Sequence, residues 1–138
     1  MSSRADFLKV VESAVARFPE NRLCRKVDEG TLVVEDYHAI LLMIFHQTFE
    51  GPSTFALAGS LCPKKHYKVR DYLLLHADEE KSHWEWVIED LKNTGYKGPD
   101  PRETFPQPAC QAYVAFNVYT ALRFPIARLG IATVLESM

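Results

Sequence analysis

No uninterrupted apolar run approaches the roughly 18 residues a membrane span needs, and the amino-terminal MSSRADFLKV lacks the apolar centre of a secretory leader. Membrane insertion and export are therefore not expected, and the sequence reads as cytoplasmic. Cysteine is scarce. Cys24, Cys62 and Cys110 are far apart, odd in number and without a C-x-x-C pair, so neither a disulfide framework nor a zinc–thiolate site is indicated. There is no excess of positive charge either: 16 Lys+Arg stand against 18 Asp+Glu, a net charge of −2, and the basic residues are scattered. A nucleic-acid partner is not expected from such a surface. Sustained two-residue alternation between turn signals is also missing, as are internal repeats and low-complexity tracts, which leaves an all-α fold.

What is present suits a packed core: 47% apolar and 25% charged residues over 138 positions, the size of a single helical domain, 1–138. Phe7, Leu8, Val11, Ala14 and Val15 recur at helical spacing in a first helix over about 3–18, ended by Pro19. One or two further turns over 21–29 precede Gly30. Thr31 to Glu50 is apolar nearly all round, as in a buried helix, with Gly51-Pro52-Ser53 breaking or kinking it and Phe55 to Leu61 as its continuation. A long helix is expected from about Tyr67 to Asn93, closed by Gly95. Four prolines at 99, 101, 106 and 108 mark an extended connection. Ala109 to Met138 is again helical in period, with Pro125 as a kink and Gly130 permitting close packing.

Chemistry concentrates in the stretch Asp71 to Leu91. With about 100° of rotation per residue, Val69, Leu73, Val87 and Leu91 fall within roughly 20° of Glu80, so Glu80 is expected to point into the apolar face. His76 and His83 lie roughly 40° and 60° to one side, one turn before and one turn after, giving His-x-x-x-Glu-x-x-His on one stripe. An ionised carboxylate on such a face needs a partner. One solution is a metal: imidazole nitrogen and carboxylate oxygen without thiolate suit Fe(II), Mn(II) or Zn(II), and helical bundles build di-metal centres from Glu-x-x-His units. The other is a buried polar network, with Glu80 satisfied by Arg123 or Arg128.

Other residues weigh less. Glu136 shares a mostly apolar face with Leu122, Leu129, Ala132 and Thr133, although its place near the chain end better suits a solvated carboxylate. His46 and Glu50 share a face with Ala39 and Met43, a pattern more often structural. Tyr113, Phe116, Tyr119 and Phe124 read as core aromatics. Asp78, Glu85, Glu89 and Asp90 form the solvated side of the long helix, with Glu79 a reserve ligand at best.

HADEEKSHWEWVIEDLKNTGY, followed after the proline-rich connection by RFPIARLGIATVLES, resembles the heme-oxygenase-like helical superfamily, and within it the iron-containing redox enzymes related to thiaminase II and pyrroloquinoline-quinone synthase. The diiron oxidases and oxygenases of that superfamily carry a Glu and a His on one core helix, a Glu on the next, and His-x-x-x-Asp-x-x-His on a last one. Glu80 and His83 match the first pair and Glu136 the second. The resemblance covers the carboxy-terminal half, more weakly Tyr37 to Glu50. It implies a heme-oxygenase-like bundle binding one or two Fe ions and no heme, acting with dioxygen on a small organic substrate, and it leaves room for a homodimer. Family members run to about 200 residues or more, within the usual span of a single domain, and the last ligand motif has no counterpart in these 138 residues. The sequence is thus a fragment or shortened form, is completed by another chain, or has lost the family chemistry. His76 offers a substitute third ligand on the same helix. The alternative of another class is a metal-free helical module that binds a small molecule or dimerises.

Overall fold

In a computed structural model of the chain, residues 4–136 are described, the side chains of 134–136 excepted. Seven α-helices follow one another among them: α1 (Arg4–Arg17), α2 (Arg22–Asp28), α3 (Val34–Leu61), α4 (Tyr67–Glu80), α5 (His83–Asn93), α6 (Pro108–Arg123) and α7 (Ala127–Glu136). No strand occurs among the described residues, so the all-α expectation holds. None of their helices is long and apolar enough to cross a membrane. The chain divides into two compact units, one of residues 34–129 and one combining the first 33 residues with those from Gly130 onward.

The terminal unit is built by local capping. Asn21 accepts from the amides of Leu23 and Cys24 at 2.9 and 3.0 Å, which starts α2. Gly30, at φ +64°, ends it: its amide bonds the Val27 carbonyl at 3.1 Å and that of Thr31 bonds Lys26 at 2.9 Å, the paired closure that a left-handed residue after a helix permits. Gly130 faces the Phe7 ring, 3.6 Å from where a Cβ would stand.

The larger unit is organised on α3, which packs against α4, α5 and α6. Leu41 and Phe45 of α3 meet Val87 and Leu91 of α5, with Leu42, Ile44, Trp84, Ile88 and Tyr96 around them. Gly59 admits α4: a Cβ there would stand 2.9 Å from Leu74 Cγ and Cδ2. On the side of α6, buried Cys110 places Sγ 3.7 Å from the Met43 carbonyl. The helix runs through Pro52 without ending; Gly51-Pro52-Ser53 is therefore not a break.

Two expectations are corrected. The long helix over 67–93 is two helices, because the chain leaves helical geometry at Ser82 (φ −115°, ψ 1°). The Trp84 indole N–H donates to the freed Lys81 carbonyl at 3.1 Å, supplying a partner where the ladder is interrupted. Gly95 does close α5, with the same paired closure as Gly30. Pro125 is a break and not a kink. The residue before a proline is pushed out of the helical region, and Phe124 sits at φ −141°, ψ 60°.

Candidate functional site

Glu80 ends α4 and His83 begins α5, so the Ser82 break lies between them. Their side chains close over it: His83 Nδ1 stands 2.6 Å from Glu80 Oε2. His76, one turn earlier on α4, has Nε2 4.0 Å from Glu80 Oε1 and Nδ1 3.6 Å from Glu79 Oε2. The three residues of the His-x-x-x-Glu-x-x-His pattern therefore do gather around one carboxylate, although not along one continuous helix.

Burial differs from the helical-wheel expectation. Leu73, Val87 and Leu91 are buried as expected and Val69 is half-buried, but the Glu80 side chain is 29% exposed and that of His83 30%. Glu80 lies at the rim of the apolar face and does not point into it. The change of direction at Ser82 separates residues that an uninterrupted helix would keep in one stripe.

The imidazoles are held by aromatic neighbours. His83 stacks on Trp86 with ring centres 4.4 Å apart. His76, buried, stacks on Tyr72 at 5.6 Å and meets Phe55 edge-on at 4.5 Å. Such packing holds the plane of each ring.

Neither arginine of the polar-network alternative pairs with Glu80. Arg123 is exposed, while Arg128 is buried elsewhere, its Nε donating to Thr54 Oγ1 at 3.0 Å and its guanidinium carbon lying 3.7 Å from the Phe55 ring centre. Glu136 is the last residue of α7 and its side chain lies outside the described residues. His46 is occupied structurally: buried, with Nε2 3.2 Å from Thr104 Oγ1 in the proline-rich connection, and with burial pushing its pKa below the ordinary value against the opposing field of Glu50. Phe116, Tyr119 and Phe124 are exposed, so these aromatics are not core as expected. Asp78, Glu85, Glu89 and Asp90 are solvated, as the wheel indicated.

Oxygen and nitrogen donors without thiolate have the right chemistry for Fe(II). Sharing an ion would require the Glu80–His83 hydrogen bond to give way, because atoms that meet at 2.6 Å are directed at each other and not at a common third point. A third donor is not in place: among the described residues no three His, Cys, Asp or Glu side chains are grouped to hold a metal ion.

Sequence reasoning did not foresee where three buried polar residues of the larger unit lie. Thr54, Asn117 and Arg128 are all buried on apolar elements. A signal was available for Arg128, which lies one turn before Ile131 and Ala132 and thus on the apolar side of its segment. Compared with protein-family models, curated proteins and solved structures, the chain matches none of them.

Proposed function

We propose that the chain has a heme-oxygenase-like bundle and that Glu80 and His83 are one half of a non-heme iron site in an oxidase or oxygenase acting with dioxygen on a small organic substrate. The observation that supports this reading is the facing of Glu80 Oε2 and His83 Nδ1 across 2.6 Å. A Glu-x-x-His unit delivers these atoms to one point, and here the unit survives a helix break. When bound, iron would supply the one-electron chemistry that dioxygen requires. Glu80 would contribute charge and His83, stacked on Trp86, a ring nitrogen, with the His76 imidazole, 4.0 Å from Glu80 Oε1, as the further donor. Glu136 remains the family-implied further carboxylate.

The test is anaerobic Fe(II) loading of the purified chain followed by desalting and elemental analysis. Iron retained at a fixed ratio to protein, and lost in Glu80→Gln and His83→Ala, is expected; retention unchanged by Glu80→Gln overturns the assignment. A second reading, a metal-free module that binds a small molecule or dimerises, is favoured by the hydrogen bond that already satisfies Glu80 and by the missing third donor. It requires a folded protein that retains no iron and whose thermal midpoint ignores chelators.

A further inference from the structure

Helix α6 carries polar residues inside and apolar ones outside. Asn117 and Thr120 are buried, and Asn117 donates Nδ2 to the Tyr113 carbonyl of its own helix at 2.9 Å. Phe116, Tyr119 and Leu122 are instead 53–57% exposed. Phe124, exposed as well, extends their patch, its ring centre 6.2 Å from that of Tyr119. From Thr104 to Leu122 the sequence contains no Asp, Glu, Lys, Arg or His, and the exposed Gln111 turns its amide back to the Pro106 carbonyl at 2.6 Å. While α3 covers one side of α6, the other side is equally apolar, a pattern that belongs to a helix buried all round. A contiguous patch of this kind marks a contact surface, unlike apolar residues exposed singly.

The exposed face holds its small and large residues in mirrored order. Ala109, Ala112 and Ala115, all exposed, precede Phe116, Tyr119 and Leu122. At about 100° per residue the six lie within roughly 70° of one direction and form a single stripe. Its midpoint falls between Ala115 and Phe116. Reversing the helix about that point sets Tyr119 over Ala112, Leu122 over Ala109 and Phe116 over Ala115, so every large side chain of one stripe meets a methyl group of the other. Two copies related by a twofold axis at the midpoint would therefore interdigitate, which is the self-complementarity an isologous interface requires. The alanines also let the helix axes approach to the lower end of the usual range of about 8–10 Å.

We propose that the chain pairs with a second copy of itself through α6, antiparallel, with the twofold axis between Ala115 and Phe116. The area suffices. At about 200 Å² for a whole large side chain, Phe116, Tyr119, Leu122 and Phe124 leave about 450 Å² uncovered on each copy. Pairing withdraws about 900 Å² through these residues alone, and the three alanines bring the total past the roughly 1,000 Å² of a specific interface. No charge has to be desolvated: Arg123, the one charged residue of α6, stands in its last turn, where the side chain can reach beyond the pair into water. A different protein would have to reproduce the spacing of the stripe, whereas a second copy already carries it. The pairing requires no metal. It gives the dimerising alternative a definite surface and holds equally for a chain that binds iron.

The experiment uses the full chain treated with chelator, so that failure of iron binding does not affect it. Sedimentation velocity is run from about 1 to about 300 µM, the range suited to an interface of this modest area. The expected result is a mass that rises from one chain to two and no further. Tyr119→Glu, which would press a carboxylate against Ala112 of the second copy, should stay monomeric throughout while keeping the wild-type circular dichroism. Ala112→Tyr should also lose the dimer, because two large side chains then compete for one place. Combined with Tyr119→Ala it exchanges large and small, and the dimer should return. A wild type that remains a single chain at the highest concentration overturns the proposal. So does a dimer that Tyr119→Glu leaves intact, an assembly that grows beyond two chains, or a double variant no more associated than Ala112→Tyr alone. Should Tyr119→Glu fail to fold, Ala112→Glu tests the same face.

Discussion

Substituting Gly59 with alanine tests the contact that brings α4 against α3. The new methyl would stand 2.9 Å from both Leu74 Cγ and Cδ2 and 3.5 Å from the Arg70 carbonyl oxygen. The carbonyl distance is ordinary contact; the Leu74 distances are about 1 Å inside it. Because Cγ is not a side-chain tip, rotating one methyl does not relieve the clash. Leu74 is 39% exposed, however, and can swing outward at the expense of its own packing. Overpacking costs about 1–3 kcal/mol, and alanine for glycine within a helix returns up to about 1 kcal/mol. The net expectation is a loss of about 0–3 kcal/mol, with Leu74 as its source. A double-mutant cycle isolates that source: Gly59→Ala combined with Leu74→Ala, each measured by urea denaturation followed by circular dichroism. Since Leu74→Ala removes both clashing atoms, the pair should be more stable than the sum of the single changes by about 1–2 kcal/mol. Additivity within about 0.5 kcal/mol would refute the argument that Gly59 is required by Leu74.

Leu73→Ala, at a site with no solvent exposure, should cost about 2–5 kcal/mol by the loss of a buried isobutyl group and the cavity it leaves; a loss below about 1 kcal/mol in the denaturation midpoint would contradict the packing described. His46 carries a pH dependence of defined sign. Its pKa in the fold lies below the ordinary 6.5, so on acidification through 6.5 the unfolded chain takes up a proton that the folded one resists. Stability is then fully present above that value and declines as pH falls toward the folded pKa, by at most about 1.4 kcal/mol per pH unit for one proton. His46→Gln does not titrate and can keep a hydrogen bond to Thr104; denaturation across the same pH range should show a shallower decline, and an unchanged slope would exclude His46 as a contributor.

The helical content was legible because periodicity is carried by many residues at once. The apolar recurrence over α1, the run from Thr31 to Glu50 and the Gly30 and Gly95 closures each announce an element without reference to the rest of the chain. The Ser82 break was not legible, since nothing between Glu80 and Trp84 is a strong helix breaker. Its stabilisation comes from groups on either side, the Trp84 indole on the Lys81 carbonyl and the His83 imidazole on Glu80. Proline misleads in both directions. Pro52 is absorbed within a continuous helix, whereas Pro125 follows a residue in extended-like geometry and separates two helices. A lone proline in apolar sequence does not state which outcome tertiary packing will select. The grouping of His76, Glu80 and His83 was readable from their spacing, but their depth was not, because depth depends on the direction in which α5 leaves α4.

The guanidinium and the carboxylate of the larger unit are held differently. Arg128 is buried and one of its donors is idle. Glu80 is half-exposed and already has a hydrogen-bond partner in His83, so neither solvation nor charge forces a cation upon it; a metal must displace that bond and must find a third donor. Occupancy of Glu80 and His83 by iron would therefore have to supply its own driving force. A thermal midpoint that rises with Fe(II) in the wild type and not in Glu80→Gln would show that the ion supplies that driving force; no rise in the wild type would leave Glu80 with His83 as its partner.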